Sequence, residues 1–379
     1  MVATPDHVRD TLSGHGDLDL SPEGRYPVMT SYGYRLFSMQ LTRGFGRKPV
    51  DFSECNGEHF VDIAERLLEN LKNTVVGSPN LRDDDPPLDT STPSWFGTPA
   101  LQVLELNRGV NMIRADAFKG IFGQHNKALA IPGTSSDVDM TDLAAARVYR
   151  IILVFPESGD TGVAAMETIG RSCPIGLLQK WMARQSKSDS HLRERQIKDQ
   201  TGRIERVPWW KLNFRQMADE EHLQELITSG KLGKIQLAKM QVSPDRKREV
   251  EKFRLTSSRV EGALAVEIGR VLADWWERIR RTDDHSQRIV TPKEGASQLA
   301  MILGEEVNDL DFDDGWIVIK DEGGEKKVRP SRMPELFTYF IDDLQPKRDE
   351  IYCRAREKFS RLRESSQIDV EWPPLQSEE

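Results

Sequence analysis

Two strand-forming runs joined by a short glycine-containing loop constrain this chain more than any other feature. Arg147–Phe155 is rich in apolar and β-branched residues, Val163–Ile169 follows it, and Ser158-Gly159-Asp160-Thr161-Gly162 lies between them. That spacing predicts a hairpin. Further strands are expected at Val28–Leu41, which ends in the turn Arg43-Gly44-Phe45-Gly46-Arg47, and at Leu101–Leu106 and Val110–Phe122 around Asn107-Arg108-Gly109. Trp209–Met217, Ile235–Val242 and Lys247–Leu255 read as strands as well, and Trp316–Lys320 with Lys326–Arg329 as a hairpin about Gly323-Gly324.

Helices follow from apolar residues three and four apart. Asn56 is placed to cap a helix that buries Phe60, Ile63, Ala64, Leu67, Leu68 and Leu71. Cys173-Pro174 leads into a helix to about Lys187, after which residues 186–206 are almost wholly polar and give no periodic signal. A short helix is expected at Glu220–Thr228 and a strongly amphipathic one over 259–281, through Val260, Leu264, Ile268, Val271, Trp275 and Ile279. Two more follow at 292–307 and 347–364, the last turning Ile351, Ala355, Phe359 and Leu362 inward. Strands and helices do not alternate regularly, which favours an α+β protein with mixed or antiparallel sheets over a doubly wound one.

A chain of 379 residues exceeds what one core usually serves. The expected division is an N-terminal strand–helix part (1–77), a proline-rich acidic linker (78–99), a β-rich central part (100–258) with a basic segment at 171–258, and a mainly helical part (259–379) holding the hairpin 315–329. Within the linker, five prolines and Asp83-Asp84-Asp85 oppose both helix and sheet. The first residues have no basic-then-apolar leader, and the longest apolar run, Ile151–Phe155, is too short to span a bilayer, so no membrane association is expected. Three scattered cysteines, Cys55, Cys173 and Cys353, suit a reducing cytoplasm better than a disulfide framework.

Charge supplies the functional clue. Residues 171–290 carry 25 Lys and Arg against 17 Asp and Glu, while both flanks are acidic and the whole chain has net charge −8. Gathered cations raise the local concentration of polyanions. Lys180, Arg184 and Lys187 form one stripe at helical spacing; Arg193, Arg195, Arg203 and Arg206 follow; and on the strand beginning at Trp209 the residues Trp209, Lys211 and Arg215 alternate away from the apolar Trp210, Leu212 and Phe214. Lys252 and Arg254 add to the set. An indole among cations is a combination that stacks bases and holds phosphates, so the leading expectation is non-catalytic nucleic-acid binding, in a setting such as microbial regulation or phage defence.

The alternatives are a protein-interaction or homo-oligomerising component that uses helix 259–281 and the opposed charge blocks, and an enzyme whose site is assembled from distant residues. Neither a cofactor nor a resident metal is expected. Asp309, Asp311, Asp313 and Asp314 do not match the calcium-loop positions, since no alignment puts both an oxygen ligand first and Gly315 sixth. Asp314 and Glu325-Lys326-Lys327 have the residue order of a metal-dependent nuclease, but on a hairpin they sit about 23 Å apart at ~3.3 Å per residue. The seven histidines form no ligand pair, and Cys173, though at a helix start, reads as a buried thiol with no base assigned to it.

Overall fold

The computed structural model describes residues 31–72, 98–122, 127–128, 138–139, 144–170, 172–203, 205–217, 219, 221–223, 225, 232–242, 249–257, 262–281, 290–321, 324–342, 344–366 and 368–374. In chain order these form β1 (Tyr32–Arg43), β2 (Pro49–Val50), α1 (Phe60–Lys72), β3 (Pro99–Arg108), β4 (Met112–Phe122), the two-residue pair β5 (Lys127–Ala128) and β6 (Val138–Asp139), β7 (Ala144–Val154), β8 (Thr161–Ile169), α2 (Ile175–Thr201) and β9 (Trp210–Gln216). There follow β10 (Leu232–Val242), β11 (Glu249–Thr256), α3 (Ala263–Arg281), α4 (Pro292–Leu303), α5 (Glu305–Asn308), β12 (Asp314–Asp321), β13 (Gly324–Val328), a 3-10 segment (Pro330–Phe337), β14 (Tyr339–Asp342) and α6 (Arg348–Ser366). The fold is α+β, and all strand pairs among the described residues are antiparallel.

The expected hairpin is the middle of the larger sheet. β7 and β8 pair from Ile151↔Met166 to Val154↔Val163, and the order across the sheet is β14-β1-β8-β7-β4-β3, with β2 and β9 also on β1. β1 is apolar on both faces because both are covered. Phe37, Met39 and Leu41 pack under α1 and α2, while Tyr34 and Leu36 pack under α6 and the tail residues Ile368, Val370 and Trp372. Burying each such side chain contributes about 1.5–3 kcal/mol. On the α1 side Phe52, Phe60 and Phe155 meet with ring centroids 5.7–6.0 Å apart. Gly33 lets β14 approach β1, since a Cβ there would stand 2.4 Å from the Tyr339 carbonyl oxygen.

The second sheet has the order β11-β10-β12-β13. Alternation divides its residues: Ile235, Leu237, Ile317 and Ile319 join Ile268, Leu272, Trp275, Leu299 and Phe337 in a core with α3, α4 and the 3-10 segment. Ala238, Trp316 and Val318, with Met240 against them, lie on the other face. The chain leaves the first sheet after β9 and returns at β14, both of which pair with β1. The stretch 100–258 therefore contributes to both sheets, and 259–379 does too.

Several expectations require correction. α2 does not stop near Lys187 but runs on to Thr201. Asn56 caps nothing; it occupies a left-handed turn position (φ 60°), and the His59 ring nitrogen Nδ1 accepts the N–H of Val61 at the start of α1. Trp276, beside the inward-facing Trp275, is also inside the second core, edge-on to Phe337 at 4.6 Å. Glu325 faces Lys320 across the β12–β13 hairpin, near its turn and away from Asp314. The proline-rich stretch 78–97, residues 1–30 and most of the acidic loop 137–142 lie outside the described residues.

Candidate nucleic-acid interface

α2 positions most of the cations, and two different kinds of contact hold its two halves. In the first half Leu177, Leu178, Trp181 and Met182 are buried against the larger sheet. In the second half the contacts are polar. Ser186 Oγ accepts the backbone N–H of Trp210 at 2.7 Å, Ser190 Oγ donates to the Val207 carbonyl at 2.5 Å, and Glu194 accepts the Val207 N–H at 3.1 Å. These bonds satisfy backbone groups along the segment that enters β9. Gly202, left-handed at φ 68°, ends the helix by returning its N–H to the Lys198 carbonyl.

Because α2 continues, the cationic stripe continues with it. At about 100° per residue, Lys180, Arg184, Lys187, His191, Arg195 and Lys198 fall within an arc of about 80°, and at 1.5 Å rise they extend about 27 Å along the axis. Lys180, His191, Arg195 and Lys198 are exposed, and Arg184 and Lys187 half-buried. Arg184 lies over the Trp181 ring at 5.2 Å. Of the three carboxylates of α2, Asp189 is turned away and pairs with Arg193 at 3.2 Å, Glu194 is occupied by Val207, and Asp199 is exposed at i+4 to Arg195, at the edge of the stripe. Arg193 also reaches Glu58 on the side facing α1, at 3.7 Å, so it stands off the stripe.

The other expected residues divide. Arg203 and Arg206 are exposed just beyond the end of α2, on the segment that runs back beside it. Trp209 is half-buried, edge-on to Phe45 at 5.2 Å and packed against Gly44, so its indole belongs to the turn after β1. Lys211 and Arg215 alternate with Trp210 and Leu212, which pack under α1 and α2, and so project from the opposite face of the sheet. Arg254 lies on the second sheet, over Trp316, and Lys252 shares its strand. The structure thus gathers Lys180, Arg184, Lys187 and Arg195 on α2, adds Lys198 to them, and separates Lys211, Arg215, Lys252 and Arg254 from that line.

The remaining chemistry-bearing groups are engaged within the fold. Asp314 pairs with Arg329 at 3.1 Å, Asp313 accepts the Met240 N–H at 2.8 Å, and Asp311 meets Lys293 at 3.1 Å. Among the described residues no three His, Cys, Asp or Glu side chains are grouped to hold a metal. Burial pushes the Cys173 thiol up, against the opposing Ile175 N–H, Arg35 and Lys119, so a reactive thiolate is disfavoured. In α6 the cations of one flank are paired: Arg354 with Glu350, Arg361 with Glu357 and Lys358 with Asp219. Arg348 bridges Glu105 and Asp116 in a cleft also lined by Arg114 and Tyr352.

No helix among the described residues is long and apolar enough to cross a membrane. Comparison of the chain with protein-family models, with curated proteins and with solved structures finds no match.

Proposed function

We propose that this protein binds nucleic acid without chemistry, using the outward stripe of α2 as a ladder for phosphates. The observation that carries the reading is the alignment of Lys180, Arg184, Lys187, Arg195 and Lys198 along one side of a helix whose opposite side is fixed to the sheet. A rigid element presents charge without the ordering cost of a loop, and backbone contacts of this kind bind largely regardless of sequence. Arg203 and Arg206 extend the ladder beyond the helix end. The reading also places the protein in a reducing compartment, in keeping with its free Cys55, Cys173 and Cys353.

The test is titration of labelled single- and double-stranded DNA and RNA at two salt concentrations, with wild type and the triple variant Lys180→Gln/Arg195→Gln/Lys198→Gln. Binding is expected to weaken with salt by about 0.7 per phosphate contact for single strands and about 0.9 for duplex, on logarithmic axes. The triple variant lowers that slope by about 2–3 units. Equal slopes for the two proteins, or no binding at low salt, would remove the reading.

A further inference from the structure

The face of the second sheet that turns away from α3 and α4 carries a second concentration of charge, built differently from α2. At its centre is Trp316, only 2% exposed, with its Nε1–H fixed on Gln236 Oε1 at 2.6 Å. Three cations from separate parts of the sheet converge on this one indole: Arg254 from β11 at 5.2 Å, Lys327 from β13 at 5.3 Å, and Arg329 just after β13 at 4.8 Å from the ring centroid. Strand register explains the convergence. Gln236 is opposite Trp316 and Ala238 opposite Arg254, while Val318 is opposite Lys327, so Gln236, Trp316, Arg254 and Lys327 emerge on one face, and Arg329 reaches the same ring from just beyond β13.

Two cations that each lie about 5 Å from the same point are at most about 10 Å apart, a separation near the Debye length of about 8 Å at physiological salt, so their repulsion is only partly screened. Covering an indole does not require this; aliphatic side chains would do it at lower electrostatic cost. The ring's negative face holds the three charges in place, and Asp314 accepts from Arg329 at 3.1 Å, orienting that guanidinium. Lys327 remains exposed, and no described carboxylate lies within ion-pair reach of it. Two guanidinium groups and one ammonium gathered about one ring supply the kind of donor that the oxygens of a phosphate group accept from.

We propose that Arg254, Lys327 and Arg329, arranged by Trp316, form a binding site for a phosphate group, either a phosphodiester of a nucleic-acid strand or a free phosphorylated small molecule. The site shares no residue with α2 and stands whether or not the α2 ladder does.

The test measures pyrophosphate binding by calorimetry on the full chain, at ionic strength held constant with sodium chloride. Three proteins are compared with wild type: Arg254→Gln/Lys327→Gln, Lys327→Gln alone, and Lys347→Gln/Arg356→Gln, two exposed cations outside both the second sheet and α2, as the charge control. The double variant is expected to bind at least about 10-fold more weakly, from the loss of charge-assisted bonds, and the charge control as wild type does. A labelled 15-nucleotide single strand identifies the source. If its affinity falls in the double variant as well, the ligand is a phosphodiester; if only pyrophosphate binding falls, it is a free phosphate compound. Should the double variant fail to fold, Lys327→Gln, at an exposed position, must still weaken pyrophosphate several-fold. Undiminished binding in the folded variants, or no binding by wild type at millimolar pyrophosphate, overturns the proposal.

Discussion

Lys358 Nζ donates to Asp219 Oδ2 at 2.6 Å, and Asp219 is fully buried. The pair joins α6 to the point where the chain has just left the first sheet for the second. Asp219 also accepts from the Tyr339 hydroxyl at 2.8 Å, so it holds the returning strand β14 too. Burial alone would raise its carboxyl, but the bonds from Lys358, the His222 N–H and Tyr339 bring it below the usual aspartate range. Lys358→Met, which leaves that carboxylate buried with one donor fewer, is expected to cost about 3–5 kcal/mol at neutral pH in urea unfolding. Because the folded pKa is depressed, the contribution of Asp219 is present above the unfolded value of about 3.9 and is lost as pH falls through the folded one. Asp219→Asn should therefore differ from wild type most at neutral pH and least in acid.

Glu167 makes the opposite prediction. It is buried on β8, and Arg150 donates to it from the backbone N–H at 2.9 Å and from Nη1 at 2.9 Å and 3.1 Å. Burial outweighs Arg150 and pushes the carboxyl up to about 7. The unfolded chain releases this proton near pH 4.3, so the group's contribution to stability is full below that and is lost as pH rises to about 7. In Arg150→Met the carboxyl loses its lowering partner and the decline continues at higher pH. The stability difference between variant and wild type should grow from about pH 7 upward; a difference independent of pH would contradict this account.

Ser186 closes the outer edge of β9 by accepting the Trp210 N–H. Ser186→Ala leaves that buried donor unpaired, a loss of about 1–3 kcal/mol, offset slightly by the better helix propensity of alanine. Hydrogen exchange at the Trp210 amide should quicken far more than at amides of β8, which are bonded within the sheet.

Those serine contacts also explain why half of α2 escaped the sequence. Residues 186–201 offer no apolar periodicity because nothing apolar holds them; the anchors are single hydrogen bonds to residues 207–210, and the partners of such bonds are set by the fold. One local signal was present: charged residues continue at helical spacing through Lys187, His191, Arg195 and Lys198, and Gly202 follows as a stop. The strands and amphipathic helices were legible because burial imprints a period on the sequence, as in β1, β7, β8, α1 and α6. Trp316 was legible only as a strand residue. Its partners Arg254, on β11, and Arg329, just after β13, belong to parts of the sheet that do not pair with each other, and no spacing along the chain records that they meet.

A charge-conserving exchange separates the α2 ladder from mere net charge. Arg195→Gln with Gln196→Arg keeps composition and helix propensity nearly unchanged, and both positions are exposed. It moves one cation about 100° around the axis, out of line with Lys180, Lys187 and Lys198. If binding depends on general attraction to a basic segment, affinity and salt slope stay as they were. If a strand lies along the stripe, the moved charge loses its phosphate, and the slope falls by about 0.7 for single strands or about 0.9 for duplex. Circular dichroism of the exchanged protein should match wild type, so that a change in slope reports position on the helix and not loss of the helix.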